Sequence, residues 1–145
     1  MPLAGATVTA GKLPGEQVGY DIETSNSSGI TTTETTVQTV VAPVVAGRVY
    51  LIKWFADVKS TVAGDQLFVK IREDNASGTV LDFRRYRANA NVNFPYRTEA
   101  EYTADATEDK TFVVTLVRES GTGTVSMAAA ATSPAYLRAE YLRDA

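Results

Sequence analysis

Residues 49 to 59 read Val49-Tyr50-Leu51-Ile52-Lys53-Trp54-Phe55-Ala56-Asp57-Val58-Lys59. Tyr50, Ile52, Trp54, Ala56 and Val58 occupy every second position, and Lys53, Asp57 and Lys59 lie at positions that alternate with them. A helix advances about 100° per residue and would scatter those five side chains around its circumference. A strand turns its side chains to alternate faces and gathers all five on one side. The stretch therefore predicts a strand with one face turned to a core.

The same period of two recurs on either side. Gln66 to Arg72 places Leu67, Val69 and Ile71 inward, with Lys70 and Arg72 outward. Val80 to Tyr86 puts Leu81 and Phe83 together, and Tyr96 to Tyr102 alternates with Arg97, Glu99 and Glu101. Thr111 to Arg118 sets Phe112, Val114 and Leu116 against Val113 and Val117. Val125 to Ala129 reads as a strand of small residues, and Ala135 to Leu142 alternates Leu137, Ala139 and Tyr141 with Arg138 and Glu140. Short polar loops at Ala63-Gly64-Asp65, at Asp74 to Gly78 and at Ser120 to Gly123 separate these runs, with glycine where a positive φ suits a tight turn. Pro43, Pro95 and Pro134 fall at the starts of runs, where a missing N–H does least harm to a ladder. No window supports a long helix. The expected fold is all-β: a single β-sandwich or jelly roll of about eight antiparallel strands.

The beginning of the chain differs. Met1 to about Gly19 is rich in glycine and carries two prolines, and nine of the thirteen positions from Thr24 to Thr36 are Ser or Thr. That composition favours turns and extended chain. Residues 1–36 are expected to form an extended N-terminal arm with a Ser/Thr-rich lead-in, and residues 37–145 the β-sandwich. Leu3, Val8, Leu13 and Val18 are the apolar positions by which the arm would grip a partner; a frayed tail without a role is the other reading.

Composition removes much chemistry. The chain has no histidine and no cysteine, so imidazole bases, thiol nucleophiles and His or Cys zinc sites are all lacking. No cofactor is expected. Its 145 residues can bury roughly two thirds of their surface without staples. A net charge of −3 and a pI near 5.0 run against a nucleic-acid partner. No run approaches the ~20 apolar residues that span a bilayer, and the start lacks the apolar core of an export signal. A soluble protein made in a cytoplasm is expected, with no membrane partner.

Carboxylate-only chemistry survives that filter. A glycosidase would need Asp82 opposed to Glu99 or Glu101 across a cleft; the plainer reading is solvent-facing positions balanced by Lys70, Arg84 and Arg97. Asp57, Asp65, Asp74 and Asn75 fall at strand ends, where calcium would bind, but they lack the dense spacing of a calcium loop and read more simply as turn formers. Asn26-Ser27-Ser28 and Asn75-Ala76-Ser77 match the glycosylation sequon, which without an export signal reads as coincidence. Arg84, Arg85, Arg87 and Arg97 form the one basic cluster, with Tyr86, Phe94 and Tyr96 among them. Arginine mixed with aromatics is enriched at protein interfaces; interleaved charge on a solvated sheet is the alternative.

The segment Val40-Val41-Ala42-Pro43-Val44-Val45-Ala46-Gly47-Arg48-Val49-Tyr50-Leu51-Ile52 resembles the "aPxxGxYxF" strand pair of C1q/TNF-like jelly rolls. It departs by one extra residue between Pro43 and Gly47 and another between Gly47 and Tyr50. The opening Met1-Pro2-Leu3-Ala4-Gly5-Ala6-Thr7-Val8 and the closing strand Ser133 to Leu142 are similar to those of tailed-phage virion proteins. That resemblance implies a subunit of a virion, foremost a capsid decoration protein. Its implied partners are further copies of itself, as a homotrimer, and the major capsid protein or other virion subunits. A minor tail protein that recognises a cell-surface saccharide, through Trp54, Tyr86, Tyr96 or Tyr136, is the alternative; a glycosidase is a remote third.

Overall fold

A computed structural model describes residues 13–89 and 92–145. Among the described residues nine strands follow in order: β1 (Gln17–Glu23), β2 (Thr35–Val44), β3 (Arg48–Ser60), β4 (Gln66–Glu73), β5 (Val80–Arg87), β6 (Phe94–Thr103), β7 (Glu108–Ser120), β8 (Val125–Ala128) and β9 (Ala135–Asp144). They form two antiparallel sheets. One runs β1-β9-β3-β6, with β8 also paired to β3; the other runs β2-β7-β4-β5. β9 pairs with β3 from Arg48 to Phe55, and β8 takes over from Asp57 to Ser60. Long β3 thus keeps partners along both edges.

The alternation read from the sequence places the core. Tyr50, Ile52, Trp54 and Val58 of β3 face Leu67, Val69 and Ile71 of β4 and Phe112, Val114 and Leu116 of β7, all essentially without exposure. Burying each such large apolar side chain is worth about 1.5–3 kcal/mol before chain entropy is subtracted. Polar side chains enter this layer too, Gln38 and Thr98 among them. Gln38 accepts the Trp54 indole N–H at 2.9 Å and donates to the Asp21 carboxylate at 2.9 Å and the Ala135 carbonyl at 3.3 Å. It joins β2 of one sheet to β1, β3 and β9 of the other.

The β2–β3 turn is built on a glycine. Gly47 has φ +77°, donates to the Ala104 carbonyl at 2.9 Å, and precedes Arg48, which closes the turn on Val45. Pro43 sits near the end of β2, not at a strand start. It is tolerated because β2 is a sheet edge.

The ninth strand is β1, in the region read as arm and lead-in. Its backbone pairs with β9 from Gln17 to Glu23, and Gly15 already donates to the Tyr141 carbonyl at 2.7 Å. Within the lead-in, Ile30 is buried in the core and bridges Val125. Glu34 receives Lys70 Nζ at 2.7 Å, Arg72 Nε at 2.7 Å and the Thr115 hydroxyl at 2.6 Å. The sandwich therefore begins at β1 and not at Val37. Sparse apolar content hid this, because an edge strand needs few inward side chains.

Candidate functional site

β5 ends one sheet and β6 ends the other, so the aromatic and arginine residues singled out in the sequence meet along one open edge of the sandwich. Strand alternation divides them among three surfaces. Register sets Asp82, Arg84 and Tyr86 opposite the inward residues Ile71, Val69 and Leu67 of β4, so they face the gap between the sheets. There Tyr86 stacks on Phe94 with centroids 4.9 Å apart and meets Tyr96 edge-on at 6.0 Å. Asp82 accepts the Thr98 hydroxyl and pairs with Arg84 at 3.0 Å, tying the two edges together.

The remaining arginines point elsewhere. Arg85 lies on the outer face of the β4–β5 sheet, 2.9 Å from Glu119 and 5.1 Å from the Phe68 ring centroid. Phe83 joins it there, edge-on to Phe68 at 4.6 Å, and exposed Arg87 follows on the same strand. Arg97 stands on the outer face of β6, 3.6 Å from Glu99. A shallow depression of about 380 Å³ lined by Arg84, Arg97, Thr98 and Glu99 lies between β5 and β6. Phe94 and Phe83 stay nearly half exposed.

The expected arm residues fare differently. Leu3 and Val8 lie outside the described residues. Leu13 is exposed. Val18 is half-buried against the core as part of β1, so it serves this domain's own packing.

A second surface is the outer face of the β1-β9-β3-β6 sheet, of which the sequence singled out Tyr136 and Arg97 separately but not their assembly. Pairing registers align Ile22, Tyr136, Phe55 and Arg97 in one row across four strands, and Tyr20, Arg138, Lys53 and Glu99 in the next. Tyr20 and Tyr136 stack at 5.9 Å, and the Arg138 guanidinium lies over both rings at 5.6 and 5.3 Å. Lys53 donates to Glu140 at 2.6 Å. Between them is a depression of about 280 Å³, bordered by Lys53, Phe55, Arg97, Tyr136, Arg138 and Glu140. The outward positions of β3 and β9 were readable; which of them become neighbours depends on register, which a single sequence does not carry.

The other candidates separate. Glu99 and Glu101 project from the outer face of β6 and pair with Arg97 and Arg143, while Asp82 contacts inward-facing Thr98. Asp82 and the two glutamates thus lie on opposite sides of β6. Trp54 is wholly buried and offers no ring to a ligand. Asp65 is buried and saturated by the Ser60 hydroxyl at 2.6 Å and the Thr122 and Gly123 amides at 3.1 and 3.0 Å. Asn75 caps a turn by accepting the Ser77 amide, and Asp74, at φ +63°, pairs with Lys110. Among the described residues no group of three or more carboxylates is placed to hold a metal, and no helix is long and apolar enough to cross a membrane.

No family model matches the chain, and no curated protein does. Similar solved structures include the TNF protein Eiger from S. frugiperda, at 12% identity and TM-score 0.46, covering 89% of this chain and 94% of that one. The infectious bursal disease virus VP2 subviral particle is similar at 13% identity and TM-score 0.43. That match covers 87% of this chain, which spans only 37% of the VP2 chain. A family 6 carbohydrate-binding module is similar at 14% identity and TM-score 0.41, covering 86% of this chain and 94% of the module. Likenesses at these TM-scores assign neither family nor function.

Proposed function

We propose that this chain is a non-catalytic virion subunit, of the capsid decoration kind, which joins surfaces through the open β5/β6 edge. The observation that carries this reading is the stack of partly buried Tyr86 on the exposed Phe94 ring, together with the depression that Arg84 and Arg97 line between β5 and β6. Rings already ordered against each other lose little entropy on docking, and arginines beside them supply directional donors. The want of imidazole and thiol and the separation of Asp82 from Glu99 and Glu101 favour adhesion over turnover. The phage setting rests on the likeness of the opening segment and closing strand to tailed-phage proteins, and that likeness also suggests a trimer.

The test is occupancy on purified particles. Replacing both Tyr86 and Phe94 by alanine should lower occupancy roughly tenfold or more, and particles stripped of the protein should lose their genome at lower temperature, since a subunit that binds the assembled shell stabilises it by mass action. Full occupancy by the double variant would remove the β5/β6 edge from the interface. Deleting residues 1–12 tests the arm without cutting β1, which a deletion through Gly19 would do.

A further inference from the structure

We propose that the outer face of the β1-β9-β3-β6 sheet is a second, independent binding site, for one carboxylate-bearing pyranose of a polysaccharide. Phe55 and Tyr136 form its floor, and Arg138 takes the carboxylate.

The floor follows from register. Tyr136 and Phe55 are directly paired across β9 and β3, with Ile22 paired beyond Tyr136 on β1. Adjacent strands lie about 4.8 Å apart, so these side chains pave a continuous apolar strip. Phe55 remains 46% exposed and Ile22 45%. The C–H face of a sugar ring is apolar while its rim carries hydroxyls, which matches an apolar floor within a polar border. The depression of about 280 Å³ stands near the lower limit for ligand clefts, a size for one sugar ring and not for a folded partner.

Charge selects an acidic sugar. Lys53, Arg97 and Arg138 border the depression against one carboxylate, Glu140, on a chain whose net charge is −3. Glu140 is already engaged by Lys53. No carboxylate among the described residues pairs with Arg138, which is held over Tyr20 and Tyr136 by their π faces. A planar guanidinium fixed in this way matches a carboxylate through two parallel hydrogen bonds. Other occupants fit less well. A second copy docked through the same face about a twofold axis would bring like patches, and their arginines, together. A long polyanion would run into Glu99, Glu101 and Glu140, which share this face.

The experiment is calorimetric titration of the full chain with oligogalacturonate and with its methyl-esterified counterpart. The acid should bind saturably, and the ester roughly tenfold more weakly, as expected for loss of a charge-assisted hydrogen bond. Arg138→Gln should weaken the acid to the level of the ester and leave the ester unchanged. Phe55→Ala should weaken both, with the unfolding midpoint confirming that each variant folds. Equal affinity for acid and ester, or no saturable binding of either, overturns the proposal. So does a fall in native mass on Phe55→Ala, which would make this face a contact between copies. The Tyr86 and Phe94 double variant should keep full sugar binding, so this site and the decoration reading fail separately.

Discussion

Asp65 illustrates how much of this fold hangs on single polar atoms. Its carboxylate is out of water in the β3–β4 turn, yet it accepts three hydrogen bonds, and two come from the β7–β8 loop. The Ser60 hydroxyl first, then the Thr122 and Gly123 amides and the Arg118 charge, hold its pKa below the usual carboxylate range against the opposing effect of burial. Asp65→Asn replaces one acceptor oxygen with a donor and leaves a buried amide unpaired. A loss of about 2–3 kcal/mol is expected in urea unfolding. Gly121 has φ +102°, and a β-carbon there would overlap the Asp65 carboxylate. Gly121→Ala should therefore cost a similar amount, and the two changes together less than their sum, because they break one device. Additive losses would show the loop and the carboxylate to be uncoupled. Gln38 poses the same question inside the core. Gln38→Leu strands the Trp54 indole N–H and the Asp21 carboxylate, and a cost of about 2–3 kcal/mol is expected; a neutral change in the same unfolding assay would show the network to be dispensable.

At the scale of elements, β1 is the strand whose place depends on the least side chain. Gly19 packs so closely on β2 that a β-carbon there would sit 2.8 Å from the Ala42 β-carbon and 3.0 Å from the Val41 carbonyl. Gly19→Val should force β1 away from β2. Hydrogen exchange should then speed up along the β1–β9 ladder while β4–β7 stays protected; uniform acceleration would mean β1 is integral to the global transition. The same strand shows where reading a sequence stops. The inward residues of β3, β4, β7 and β9 were legible because each runs in period two with large apolar side chains. β1 offers only Val18, Gly19 and Asp21 toward its neighbours, a pattern that local composition cannot distinguish from loop. The candidate site was legible in part for a related reason. Tyr86, Phe94 and Tyr96 are close in sequence across a single connection, so their meeting could be anticipated. Tyr20, Phe55 and Tyr136 come from three distant strands, and only pairing register brings them together.

Taken as a whole, the molecule joins its lead-in to its sheets by charge where it lacks apolar residues, and that choice makes it sensitive to acid. Glu34 precedes β2 and reaches across β7 to β4. Burial pushes its carboxyl up, but hydrogen bonds from Arg72, Lys70 and Thr115 outweigh burial and hold it at about 2, against 4.5 for the free group. Asp65 is depressed in the same direction. A carboxyl with a lowered pKa binds fewer protons folded than unfolded, so its stabilisation is complete above its unfolded pKa and disappears as pH falls toward the folded one. For Glu34 that window runs from pH 4.5 down to about 2. Its side chain is only 20% exposed, so solvent screening is modest, and the contribution is on the order of 2–3 kcal/mol. Stability measured by urea midpoint should be flat from pH 7 to 5 and fall steeply below pH 4.5. Glu34→Gln should be less stable at pH 7, since it leaves Lys70 and Arg72 without their shared carboxylate, and its decline below pH 4.5 should be visibly shallower. A variant that declines as steeply as the native chain would place the acid-sensitive link elsewhere, with Asp65 the next residue to replace.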